Sequence, residues 1–333
     1  MKKVMLIAPN FNNYTEIFEN SISENGYSVI SKSFTPYNWK TAFCKMFHLN
    51  EDKIIKRKVL HFNKKIMKLY SEINPDFVII IRGDFMQKNT LEMIKCPKAL
   101  WLYDSVTRYP EMTKDWELYD LHYVFENSDV ETLKKEGKYA IFLPLGYDNH
   151  KYYPVSNVDK KIDISFVGAM YGNRKQFLEK IAMDFSEEKC SFYGIYVFKR
   201  NLIKYIKFIR SKMKKSFCNK KISHEDANKL YSSSKININI LHEQSQSGWN
   251  ARLNEILGAG GFQLISYNKL IAEKYDGMLD TFKDYDDLKK KIKYYLENDN
   301  IRNEYAQRGY NWAKDNETYF QRFNFILQEL EKI

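Results

Sequence analysis

Short apolar runs recur along the chain, and most are followed by a stretch of helical periodicity. KVMLIAP (3–9) is apolar at nearly every position, as expected for a strand covered on both faces. EIFENSISENGY (16–27) follows with helical spacing and closes on Gly26. SVISKSF (28–34) predicts a second strand, and 53–73 a long basic helix. That helix should end at Asn74-Pro75-Asp76, because the residue before a proline is driven out of the helical region. FVIIIRG (77–83), KALWLYD (98–104), LHYVFEN (121–127) and YAIFLPLG (139–146) read as further strands. Residues 144–160 contain two prolines and no periodicity, and they mark a linker. The alternation then restarts with strand KIDISFVG (161–168), helix NRKQFLEKIAMDF (173–185) and strand KCSFYG (189–194). After a basic segment come helix 224–232, strand KININIL (235–241), helix 250–258, strand FQLIS (262–266) and terminal helices. Strands spaced by helices predict an α/β chain with two doubly wound, Rossmann-like domains and a cleft between them. The expected boundaries are 1–150 and 151–315, with 316–333 a terminal helix packing back on the first domain.

Composition narrows the partners. A formal charge of +11 suits an anion: nucleic acid, a membrane surface or a phosphorylated substrate. The 25 Tyr and 22 Phe accompany an excess of Lys, Asn and Ile, so they do not by themselves mark a surface for stacking bases. Cys44, Cys96, Cys190 and Cys218 are scattered without C-x-x-C spacing, which fits reduced thiols rather than a disulfide framework or a zinc site. The start, MKKVMLIAPNFNN, reads as a first strand rather than a signal peptide, and no run of about 18 apolar residues predicts a membrane span. No G-x-G-x-x-G and no P-loop pattern occurs.

One stretch concentrates the chemistry: QSQSGWNARLNEILGAGGFQLIS, 244–266. A helix starting near Asn250 offers unpaired N–H groups to an anion, after a loop containing Gly248. Arg252 adds a forked positive charge suited to phosphate, and Glu255, one turn on, could accept two ribose hydroxyls. The plain alternative is a surface Arg–Glu pair with a glycine cap. In VGAMYGNRK (167–175), Gly168 and Gly172 flank a strand-to-helix loop, and Arg174 sits in the first helical turn. A cation is unfavourable there unless it serves an anion. His242 ends KININIL, where it could touch donor phosphate or anchor a loop.

DISFVGAMYGNRKQFLEKI, YSSSKININILHE, GWNARLNEILGAGGFQLIS and LPLGYDNHKYYP resemble the GT-B glycosyltransferases, and within them the CgeB-like (spore-maturation protein) branch. The resemblance is strongest over 144–310 and implies a nucleotide-sugar donor in the second domain and an acceptor side in the first. In the GT-B pattern a Glu five residues before a Gly binds the donor ribose, and Glu255 with Gly260 has that spacing. Retaining relatives carry another Glu eight positions upstream. This sequence has Ser247 there, so retention and inversion both stay open.

Asp84, Asp104 and Glu126 sit at expected strand ends in the first domain. Asp104 is the first choice for a catalytic base, against the ordinary role of capping a turn. The Asp-x-Asp at 284–286 reads as a helix start rather than a metal site, so no metal or other cofactor is expected. Residues 198–221 hold ten Lys or Arg and no acid, with Leu202, Ile203, Ile206, Ile209 and Met213 at helical spacing. Three roles fit that segment: contact with an anionic membrane, a lining of the donor cleft, or a core-facing helix with a solvated back. No nucleic-acid-binding motif accompanies it. The expected function is metal-independent transfer of a sugar from a UDP-, GDP- or dTDP-linked donor to a glycan, lipid-linked or protein acceptor. It would act in the cytoplasm or peripherally at the inner face of the membrane. A non-catalytic nucleotide- or sugar-binding protein is the other reading, since fold does not fix function.

Overall fold

The structure is a computed structural model that describes residues 1–10, 14–35, 51–156, 158–241 and 247–333. His242 and Cys44 lie outside the described residues. The chain divides into two units, Met1–Leu145 with Tyr319–Ile333, and Gly146–Thr318.

The first unit contains β1 (Lys3–Pro9), α1 (Tyr14–Glu24), β2 (Ser28–Phe34), α2 (Glu51–Ile73), β3 (Phe77–Ile81) and α3 (Lys88–Met93). It continues through β4 (Lys98–Leu102), β5 (Leu121–Val124), α4 (Asn127–Lys135) and the two-residue β6 (Ile141–Phe142). All neighbours pair parallel, in the order β2-β1-β3-β4-β5-β6. Both faces of the sheet are covered, which is why KVMLIAP and FVIII are apolar throughout rather than alternating. Val4, Leu6 and Ala8 face one layer with Phe18 and Trp101, while Met5 and Ile7 face the other with Ile66 and Leu100. The expected strand 139–146 shrinks to β6 because it is an edge strand running into Pro144, which has no N–H to give a ladder. Asn74 adopts φ +47 at the end of α2, in the turn expected before Pro75.

The second unit contains β7 (Ile162–Val167), α5 (Arg174–Asp184), β8 (Cys190–Tyr193), α6 (Leu202–Ile209), α7 (His224–Ser233), β9 (Ser234–Asn239) and α8 (Ala251–Gly258). Then come β10 (Gln263–Ser266), α9 (Lys269–Lys274), β11 (Asp280–Phe282), α10 (Tyr285–Glu297) and α11 (Asp299–Asn316). Its parallel sheet runs β11-β10-β9-β7-β8. Ile164, Phe166, Ile236, Ile238 and Leu264 build one core layer with Leu178 and Ile181 of α5 and Leu288 and Ile292 of α10. Each such side chain contributes about 1.5–3 kcal/mol on burial. Between those isoleucines the strands present polar side chains, Ser165, Asn237, Asn239 and Gln263, all at most 1 % exposed. They hydrogen-bond one another and nearby backbone, so their burial is compensated.

After Thr318 the chain re-enters the first unit as α12 (Tyr319–Leu330). Tyr319, Phe323, Ile326, Leu327 and Leu330 pack with Phe18 and Trp101. Arg322 Nε donates to the Pro144 carbonyl over 2.7 Å. No helix among the described residues is long and apolar enough to cross a membrane.

Candidate functional site

In the second unit β7 has β8 on one side and β9 on the other, so the winding direction reverses at β7. The carboxyl edge of such a sheet opens into a crevice at that point. The loop leaving β7 supplies Gly168 and Arg174 to it, and the segment leaving β9 supplies Asn250, Arg252 and Glu255.

Gly168 is small for a reason. A Cβ there would lie 2.9 Å from Arg252 Nη2 and 3.0 Å from the Phe166 ring. The guanidinium of Arg252 thus lies against bare backbone at the end of β7, with its carbon 5.6 Å from the Phe166 ring centre. Its Nη1 reaches Asn239 Oδ1 at 3.4 Å. Arg174 opens α5 and is 4 % exposed. Its Nη1 donates to the Ala169 carbonyl at 3.4 Å, its guanidinium lies 4.3 Å from the Tyr171 ring centre, and its Nε is buried without a hydrogen-bond partner. Burial, and then the neighbouring Arg252, push the Arg174 pKa down to about 10. The two guanidinium groups are close enough to repel, Arg174 buried and Arg252 half-buried, and cations so placed could together hold an anion.

Asn250 has a structural role. It is the N-cap of α8, with Oδ1 accepting from the Leu253 N–H at 3.2 Å, and Nδ2 donating to Asn239 Oδ1 at 3.0 Å. It therefore sets where the helix begins and aims Arg252. Gly248 lies in the preceding loop, its carbonyl 3.4 Å from Asn268 Nδ2. At the far end of α8 a Cβ on Gly258 would fall 2.1 Å from the Tyr147 ring, so only glycine allows that packing.

Glu255 is one turn beyond Arg252. Burial raises its pKa to about 7, further raised by Asp148 and opposed by Arg252 and by a hydrogen bond from Tyr152. The Tyr152 hydroxyl is also 2.7 Å from His224 Nδ1. When Glu255 is ionised, Tyr152 donates to it and can accept from the imidazole. Asp148 and Tyr152 fall within LPLGYDNHKYYP, but nothing in the sequence singles them or His224 out as neighbours of Glu255. The signal for Asn239 was present: Asn237 and Asn239 alternate within an otherwise apolar strand, which marks a polar face beneath a site.

Asp104 lies in the first unit, two residues beyond β4. Arg82 bridges it, through Nη1 to Asp104 Oδ2 at 2.8 Å and Nη2 to Asp84 Oδ2 at 3.1 Å. Arg82 holds φ +71, an uncommon conformation for a residue with a side chain. Burial pushes the Asp84 pKa up against the pull of Arg82. A small, open cleft of about 20 Å³ lies beside it at the carboxyl edge of β1 and β3, lined by Ile7, Phe34, Phe62, Gly83, Asp84 and Met86. Asp284 caps α10, its carboxylate accepting from the Asp287 N–H at 2.9 Å.

Residues 174–328 match a family described as glycosyl transferase-like. No curated protein matches the sequence significantly. Among solved structures, sucrose-phosphate synthase from Thermosynechococcus elongatus is similar at a TM-score of 0.68 and 10 % identity, with both chains covered in full. HepE from Anabaena, solved with UDP and glucose, has the same TM-score, identity and coverage. A putative UDP-N-acetylglucosamine 2-epimerase from Listeria monocytogenes reaches 0.57 at 13 % identity, covering 95 % of this chain and 94 % of its own. The fold is therefore GT-B, and with the glycosyl transferase-like segment running through both α5 and α8 the chain is an enzyme of the glycosyltransferase class.

Proposed function

We propose that this enzyme transfers a sugar from a nucleotide-sugar donor held in the second unit. The observation that carries this is the pair Arg174 and Arg252 at the sheet edge, one buried and both without an ion-pair partner among the described residues, with Glu255 one helical turn away. A diphosphate would fill the space between the guanidinium groups and neutralise both. The ribose would then lie toward Glu255, whose carboxylate can accept from two adjacent hydroxyls. His242 and the Gly248 loop belong to the same proposed seat. Structures similar in fold were solved with UDP, with UDP and glucose, and with UDP-glucose, which supports a uridine donor in particular.

As the glycosidic bond breaks, negative charge collects on the departing diphosphate. Fixed guanidinium groups already in place stabilise that charge without reorganising, which is the work a divalent cation does in other transferases. The chemistry is accordingly proposed to proceed without metal. Asp104 is the proposed base for the attacking hydroxyl, with Arg82 orienting its carboxylate; the first unit is the proposed acceptor side, for a glycan, a lipid-linked acceptor or a protein. The CgeB-like branch is the proposed subfamily.

Calorimetric titration with UDP, GDP, dTDP and their glucose conjugates tests this reading. Binding of one base class, with slow release of free nucleotide from the sugar conjugate, is expected. If none of the six binds, the donor assignment fails. Tight binding without any turnover would favour a non-catalytic nucleotide-binding protein.

A further inference from the structure

The segment after β8 carries its apolar residues on an unexpected side. α6 is fastened to the second unit by Phe208, which is 4 % exposed and packs on Tyr196 with ring centres 4.9 Å apart. Tyr205 lies beside it, and Met213 turns toward the same core. At roughly 100° per residue, Phe208 and Tyr205 point one way from the helix axis. Ile203 lies nearly opposite them and Leu202 and Ile209 lie to one side, beyond Tyr205; the three are 71 %, 65 % and 44 % exposed. Phe198, just ahead of the helix, is 61 % exposed. The stripe expected from the sequence exists, but most of it faces solvent, so burial in the core does not explain it. Lys199, Arg200, Lys204, Lys207, Arg210, Lys212 and Lys214 surround it, all exposed, and no acid occurs anywhere in 198–221.

We propose that α6 with its flanking turns is a docking element for an anionic lipid surface, with Phe198, Leu202, Ile203 and Ile209 entering the headgroup boundary. The shape supports a plane rather than a pocketed partner: the apolar side chains stand outward on one short helix and the turn ahead of it. The charge supports anionic lipid, because long cationic side chains beside an apolar stripe can reach headgroup phosphates while their stems stay near the acyl boundary. The inference rests on this surface alone and is independent of the donor site.

Co-sedimentation with phosphatidylcholine vesicles, with and without phosphatidylglycerol, tests it. The protein should pellet with the anionic vesicles at low salt, stay in solution with phosphatidylcholine alone, and be released as salt screens the surface charge. Leu202→Ser with Ile203→Ser keeps every charge and removes apolar surface. It should lower the vesicle partition by on the order of tenfold, with thermal midpoint and UDP affinity unchanged. Lys207→Glu with Arg210→Glu should remove the dependence on phosphatidylglycerol. Wild-type protein that remains in solution with anionic vesicles at low salt overturns the proposal. So does a double-serine variant that binds vesicles as well as wild type, since charge alone would then suffice. Self-association of the wild type in solution, lost in the double-serine variant, would instead assign the face to a second copy of the chain. Loss of UDP binding with intact vesicle binding would count against the donor site only.

Discussion

Arg174 sits where a guanidinium is poorly solvated and has Arg252 as a like-charged neighbour, and this makes the removal of either diagnostic. Arg174→Ala and Arg252→Ala should each weaken UDP binding by about 1.5–3 kcal/mol, the loss expected for a charged hydrogen bond. The unliganded protein should not lose thermal stability to match, because each change also relieves repulsion between the buried Arg174 and its half-buried neighbour Arg252. Equal losses of apo stability and affinity, by calorimetry and thermal unfolding, would mean the pair is structural. Glu255 adds a pH signature. Its pKa is raised from 4.5 to about 7 without ligand, so it is largely protonated below that value. Two ribose hydroxyls are best accepted by the ionised form, so UDP-glucose affinity should rise as pH increases through about 7. The donor's diphosphate diester does not itself titrate there. In Glu255→Gln the profile should be flat, and a slope that persists in that variant would assign it to another group. The sign for stability is opposite: an acid with a raised folded-state pKa lowers apo stability as pH climbs from about 4.5 toward 7. Arg252, Glu255 and Arg174 were legible because their spacing within one short helix, or at one helix start, is local. Tyr152 and His224 were not, since a contact across 72 positions leaves no pattern in a single sequence.

At the scale of the element, α8 depends on its ends. Asn250→Ala removes the cap and the tie to Asn239, and should lower stability by about 1 kcal/mol while misplacing Arg252. Denaturant unfolding would report the first effect and UDP titration the second. An unchanged affinity would mean the helix start needs no cap to aim the arginine. Asp284→Ala should also cost about 1 kcal/mol, through loss of the cap on α10. It should leave transfer intact, and transfer by both proteins should continue in EDTA; activity abolished by EDTA and restored by manganese or magnesium would mean a metal takes part. The long apolar strands were readable because a doubly covered parallel sheet makes nearly every position hydrophobic. β11 and α9 escaped for a physical reason. A three-residue edge strand needs little apolar sequence, and α9 is held by Asn268 accepting from the Leu270 and Ile271 N–H groups rather than by a wide apolar face. The stripe in α6 shows the converse: periodicity revealed a helix face correctly but not which way it points.

For the whole molecule, the first unit is built from two separated stretches of chain. Removing 319–333 should therefore expose Phe18 and Trp101 and make the first unit sensitive to protease, while 146–318 keeps its protection. A truncated chain whose first unit resists digestion as well as wild type would show that α12 is dispensable. The same arrangement imposes an order in time on the newly made protein. Its first sheet emerges early but cannot be closed until α12 follows, after all of Gly146–Thr318 has been made. At the usual pace of about 5–20 residues per second, that interval is roughly 10–35 s. Throughout it the part of that face that α12 covers, around Phe18 and Trp101, is an open aromatic surface, available to a chaperone or to a neighbouring nascent chain. The second unit needs no such wait, because every strand and helix it contains is contiguous. Translation speed across 146–318 thus sets how long the first unit remains at risk of aggregation.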